Sequence, residues 1–239
     1  MLDWSPLRAA ITQDTQFWWR DDDAVADTPQ LNRLIDLSQS TRCAVHLAVI
    51  PGHLHGSLPP RVAAQPGVIP LVHGWAHKDT SAPNAKTSEF VTARPEAISQ
   101  LSEGLKVLEA AFSGRLMRVF VPPWNRISDD IAHQLAALGY AALSTFGPRD
   151  RQADVGITRI NTHIDPIDWR GTRGLTDPQM LIDQAAAQLR AYPNEPIGLL
   201  THHLVHDDAI WDMSERVLHT LLDGGAAPLD VQGLLDEPT

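Results

Sequence analysis

Two histidines stand four residues apart in the stretch LVHGWAHKDT, residues 71–80, where His73 ends an apolar run and His77 follows Gly74, Trp75 and Ala76. At this spacing two imidazoles lie on one face of a helical turn and can reach a single ion. Alone, the pair reads equally as a helix-start histidine and a surface one. A second cluster sharpens the question: Asp21, Asp22 and Asp23 directly follow Phe17-Trp18-Trp19-Arg20. Three adjacent carboxylates repel one another unless a cation or an arginine offsets them, although aspartate also favours a solvated helix start. One aspartate and two histidines form the ligand set of a hydrolytic metal site with a position left for water. A neighbouring carboxylate can take the proton of that water. Two histidines and a carboxylate suit several divalent ions, zinc first among them.

These residues need elements to bring them together. Strands are expected at Phe17–Trp19, Ala44–Ile50, Val68–Val72, Arg118–Val121, Ala141–Phe146, Ile157–Ile160, Ile197–His202 and Leu229–Leu234, each an apolar run of strand length. Helices alternate with them. Thr28-Pro29 and Asp177-Pro178 pair an N-cap residue with proline at the first helical position. Ser128 opens a helix whose face carries Ile131, Leu135 and Leu138, with Gly139 where a C-cap belongs. Past Pro95, a stripe of Ile98, Leu101, Leu105, Leu108 and Phe112 marks another. Strand–helix alternation predicts an α/β architecture with a largely parallel sheet, and no repeat or composition break divides residues 1–239 into more than a single domain. Four strands end in polar or rigid residues: Arg20 to Asp23, His73, Pro122-Pro123-Trp124, and Thr201-His202-His203. In α/β barrels that C-terminal face carries the active site.

The chain has 29 acidic against 19 basic residues, a net charge of −10, which argues against nucleic acid or an anionic membrane as partner. The N-terminus lacks a basic region followed by an apolar one, and a lone Cys43 forms no intramolecular disulfide. A cytoplasmic location is the expectation. Seven tryptophans against two tyrosines supply either a carbohydrate platform or plain wall and core.

Between Phe17 and His203 the chain resembles the polysaccharide deacetylase family, also called carbohydrate esterase family four, through five short motifs in that family's order. They are Trp19-Arg20-Asp21-Asp22-Asp23; His73-Gly-Trp-Ala-His77; Val121-Pro-Pro-Trp124-Asn125-Arg126; Asp165-Pro-Ile-Asp168-Trp169; and Leu200-Thr201-His202. The resemblance implies a distorted (β/α) barrel of about seven parallel strands. It implies a divalent metal on Asp22, His73 and His77, with Asp21 as base and the Trp124 backbone N–H holding the oxyanion. His202 would be the acid, oriented by Asp168, with His203 the fallback. Trp75, Trp169 and Arg126 would line the substrate. Three departures stand out. Asp23 occupies the place of a glycine, which leaves the aspartate register open by one residue. Gly74 replaces a serine or threonine. Val121 replaces the arginine that normally touches the base, a charge Arg20 or Arg126 would have to supply.

The expected activity is hydrolysis of a C–N amide bond, most plausibly an N-acetyl group on a small intracellular sugar or oligosaccharide. The alternatives are hydrolysis of a cyclic amide or ureido compound on the same fold, and a non-catalytic carbohydrate-binding protein that kept the pocket. His206, Asp207 and Asp208 read as a polar loop, His163 as a satisfied loop residue, and His53 and His55 as possible substrate contacts. Arg149, Arg151, Arg170 and Arg173 read as surface or loop residues, though an arginine near the cleft would suit an anionic substrate.

Overall fold

The computed structural model describes residues 2–92, 94–149 and 156–236; Arg151 lies outside them. Eight strands, β1 (Gln16–Ala24), β2 (Val45–Val49), β3 (Val68–His73), β4 (Val119–Val121), β5 (Ala142–Leu143), β6 (Thr158–Arg159), β7 (Ile197–Thr201) and β8 (Ala227–Pro228), form one sheet. Seven follow the order β6-β5-β4-β3-β2-β1-β7, β8 pairs beside β1, and every pairing is parallel. A bridge from Ile164 to Leu199 brings the chain beyond β6 back to β7, curling the sheet into the expected distorted barrel of seven parallel strands. The helices are α1 (Ser5–Arg8), α2 (Pro29–Thr41), α3 (Leu58–Ala63), α4 (Pro95–Phe112), α5 (Asp129–Ala132), α6 (Pro178–Ala191), α7 (Asp208–Asp223) and α8 (Val231–Asp236). None among the described residues is long and apolar enough to cross a membrane.

Local chemistry explains most boundaries. Thr28 and Asp177 accept the amides of Leu31 and Met180, capping α2 and α6 ahead of their prolines. Ser128 caps α5 through Ile131 N–H, but the α-helix ends at Ala132 and the chain reaches Gly139, at φ +96°, as a series of turns. The stripe of α4 is buried from Leu101 to Phe112, whereas Ile98 faces solvent. The strand expected at Leu229–Leu234 is instead mostly α8. There the Asp230 carboxylate accepts Gly233 N–H at 3.0 Å and starts a helix that the apolar run alone did not reveal.

The parallel register carries polar side chains to one rim. Arg20 lies opposite His46, Asp21 opposite Thr201, and His73 opposite Val121. Strands buried on both faces explain the near-continuous apolar runs. His46 is a polar exception in this core. Its Nδ1–H donates to the Trp19 carbonyl at 3.0 Å, and its ring meets the edge of Trp18. Burial pushes its pKa from 6.5 down to about 4, against a smaller opposing effect of that hydrogen bond. A depressed imidazole contributes stability that is complete above the unfolded value and lost as pH falls from about 6.5 through about 4. The difference is of the order of 3 kcal/mol. Urea unfolding at pH 7 and pH 4 is expected to show a markedly smaller acid loss in His46→Leu than in the wild type. Equal acid losses would mean that His46 is charged at no cost in the folded protein.

Candidate metal centre and catalytic cleft

β3 delivers His73 at its last residue, and the chain then turns sharply at Gly74, φ +56°. No helical turn follows. Residues 74–77 form a bend in which His77 itself takes φ +51°, so the four-residue spacing works through a loop rather than a helix face. Three groups hold that loop. The buried Glu89 carboxylate accepts Trp75 N–H at 3.0 Å and Ala76 N–H at 2.9 Å. Gly52 N–H donates to the Trp75 carbonyl, and His53 Nε2–H to the Ala76 carbonyl. A side chain at residue 74 would meet Glu89 Oε2 and Pro123 at 2.5 Å. Glycine there is therefore the counterpart of Glu89, which supplies the loop contacts from elsewhere in the chain.

The aspartate that the structure places against the two histidines is Asp23, one residue on from the Asp22 of the motif. Asp23 Oδ1 lies 3.0 Å from His73 Nε2 and 3.3 Å from His77 Nε2, and one ligand atom from each residue falls within 4.8 Å of the others. His73 Nδ1–H donates to the Val121 carbonyl at 3.0 Å. That bond fixes the tautomer and leaves Nε2 as the atom that faces Asp23 and is available to a ligand. Burial would raise the Asp23 pKa, but the hydrogen bond and charge of His73 outweigh it and hold the carboxylate well below its usual range. For His73, burial is outweighed by the charges of Asp22 and Asp23, and its pKa is raised. Burial and the charge of His73 lower His77. A carboxylate and two imidazole nitrogens converging in this way fit a divalent cation of the zinc class.

Adjacent strand residues normally point to opposite faces, yet Asp22 and Asp23 both serve this rim. A register shift between Asp21 and Ala24, with Asp23 at φ +73°, makes that possible. Asp22 faces Arg20, two residues back on the same face. Nε lies 2.9 Å from Oδ1 and Nη2 donates to Oδ2 at 3.0 Å. The fully buried Arg20 also donates to Asn125 Oδ1 and Ser144 Oγ, each at 2.6 Å. Arg20 thus supplies the cation missing at Val121, while Arg126 donates to the Thr87 carbonyl instead.

Asp21, expected as the base, is fully buried, and its carboxylate is taken up by Thr201 and His203. It accepts from Thr201 Oγ1 at 2.6 Å, His203 N–H at 3.0 Å and His203 Nδ1–H at 2.5 Å. Burial raises its pKa, but the charge and hydrogen bond of His203 prevail and hold it low. His203 is therefore a core partner of Asp21. Between these two clamped neighbours, His202 is partly exposed. Its ring packs edge-on against Trp169 at 4.7 Å, and its Nδ1 has no partner among the described residues.

In the fourth motif the two aspartates have different partners. Asp168 accepts the amides of Gly171 and Thr172 and so caps a turn. The carboxylate near His202 is Asp165, which accepts Trp169 Nε1–H at 2.8 Å. Burial raises the Asp165 pKa against the opposing charge of His202. Trp124 lies beside His77, ring centroids 4.2 Å apart, at φ +55°. Its backbone N–H makes no hydrogen bond among the described residues. Trp75 packs partly against the core, and Trp169 is exposed. Of the residues set aside, Asp207 caps α7 and His206 accepts His202 N–H, while His163 pairs with Glu195.

Glu89 is the side chain that motif reading missed; it lies in Thr87-Ser88-Glu89-Phe90 with no local signal. Glu89→Ala would leave two loop amides unsatisfied and free His77 to move. Metal affinity, read by chelator competition, is expected to fall about 10–100-fold. Unchanged affinity would show that the loop holds its shape without the carboxylate.

No family model matches the chain, and no curated protein is similar to it in sequence. Solved structures are similar in fold. A family 4 carbohydrate esterase from Streptomyces lividans aligns over 90% of this chain and 91% of its own at 15% identity and TM-score 0.55. A family 4 acetyl xylan esterase from Clostridium thermocellum, solved with a cobalt ion, aligns over 92% and 90% at 13% identity and TM-score 0.58. A CE4 family pseudoenzyme from Bacillus anthracis covers 93% of this chain and 66% of its own at 15% identity and TM-score 0.61. The chain has the fold of the CE4 polysaccharide deacetylases.

Proposed function

We propose that this protein is a metal-dependent hydrolase of a C–N amide bond, acting as an N-deacetylase on an acetamido-sugar or a related small substrate. The observation that carries the reading is the convergence of Asp23, His73 and His77 beside a second, arginine-bound carboxylate at one rim of the barrel. The Bacillus anthracis pseudoenzyme has a similar fold, so the residues and not the fold carry the argument.

Asp23, His73 and His77 would hold the ion, with zinc the expected species. When bound, the ion supplies a lowered water pKa and polarises the acetyl carbonyl. Asp22 is the base in this reading. Its charge already acts on His73, and Arg20 fixes the direction of its carboxylate. The Trp124 backbone N–H, without a hydrogen bond among the described residues, is the donor for the developing oxyanion in this reading. His202 gives a proton to the departing amine, since an amine leaves poorly until protonated. Trp169 packs against that imidazole and is itself held by its hydrogen bond to Asp165. Clamping by Asp21 keeps the strand end that carries His202 in place.

The test is acetate release from a panel of N-acetylated sugars and oligosaccharides by protein reconstituted with zinc or cobalt. Release that needs the ion and stops in His202→Ala is expected. A fully loaded protein that releases no acetate from any member would sink the deacetylase reading.

A further inference from the structure

Beyond Trp124 the rim continues into an open cleft of about 300 Å³ lined by Val91, Asn125, Arg126, Ile127, Asp129, Thr145 and Arg159. It adjoins the proposed catalytic groups. Asn125 follows Trp124 and accepts from Arg20 Nη2, and the Thr145 carbonyl lies 3.5 Å from Arg20 Nη1. The volume equals that of roughly ten water molecules, which accommodates a ring substituent or a neighbouring sugar.

The charge of the lining is unusual for an acidic chain. Two guanidiniums face one carboxylate, and neither arginine forms an ion pair among the described residues. Among the described residues Arg126 makes a single side-chain bond, to a backbone carbonyl. The Nε of Arg159 is buried and lacks an acceptor among the described residues. By contrast Arg20, Arg33, Arg61, Arg118 and Arg149 each pair with a carboxylate. Guanidinium forks match carboxylate and phosphate groups in geometry as well as charge.

We propose that this cleft is an anion subsite and that the substrate is an acetamido-sugar carrying a carboxylate or phosphate, bound through Arg126 and Arg159. The proposal rests on the deacetylase reading for its acetamido part, whereas the anion contact rests on the cleft alone.

The full chain, loaded with zinc, would be assayed on N-acetylglucosamine, N-acetylglucosamine 6-phosphate and N-acetylmuramic acid. At least one anionic compound should exceed the neutral one in kcat/KM by about tenfold or more, and its identity tells phosphate from carboxylate. In Arg126→Gln/Arg159→Gln, with metal content verified, that ratio should collapse towards one. Equal turnover of all three, or a preference that survives the double substitution, would overturn the subsite. If none is turned over, the deacetylase reading fails separately. Calorimetric titration of the same compounds then decides the subsite: anionic ligands bound more tightly by the wild type than by the double variant support it, and equal binding refutes it.

Discussion

Alanine in place of Asp23 is expected to abolish binding of the proposed divalent ion and the proposed turnover, whereas Asp22→Asn is expected to keep the ion and lose about 10²–10⁴-fold in rate. The difference follows from where the two carboxylates are committed. Asp23 offers Oδ1 to both His73 and His77, so its removal leaves two imidazoles without the anion that completes the set. Both oxygens of Asp22 lie against Arg20, and asparagine there keeps the shape while losing the basic oxygen. Elemental analysis after dialysis, run beside acetate release, separates the roles. Loss of the ion in Asp22→Asn with retention in Asp23→Ala would restore Asp22 as the ligand. Lower pH should weaken the ion in the wild type, because His73 must give up a proton that Asp22 and Asp23 help it retain.

The barrel was legible because its physics is local. Parallel strands buried on both faces read as apolar runs, and capped helices announce their starts through Thr28-Pro29, Ser128 and Asp177. His73 and His77 read as ligands through the aspartates and motifs around them rather than through their own spacing, and the structure brings both rings beside Asp23. The aspartate register stayed open by one residue because a bulge is invisible in three identical letters, and the structure sets Asp23 rather than Asp22 against the histidines. Strand alternation still held a usable clue: Arg20 and Asp22 are two apart and share a face, which favours their pairing. Asp165 and Asp168 present the same difficulty, since either spacing fits the motif and only the turn at Gly171 reveals which carboxylate is occupied. Glu89 could not be read at all. It acts from thirteen and fourteen residues away on backbone amides, and a backbone acceptor leaves no pattern in the side chains it serves.

Asp21→Ala is expected to destabilise the protein by about 3–5 kcal/mol, because it leaves His203 buried without its partner. The effect should reach further than stability. Asp21 ties down Thr201 and His203, the two neighbours of His202 in the chain, so their release lets the proposed acid drift. At temperatures where the variant stays folded, kcat should fall more than KM changes. A double variant, Asp21→Ala/His203→Leu, distinguishes this account from simple loss of a base. Replacing both partners removes the orphaned group, and much of the stability should return even though the contact is gone. Turnover should remain low, since the backbone N–H at residue 203 still lacks the carboxylate that held it. Denaturant midpoints for the wild type, both single variants and the double variant give the coupling energy directly. If Asp21→Ala unfolds at the wild-type midpoint yet has lost all turnover, Asp21 is the base after all, and Asp22 with Arg20 is the structural pair.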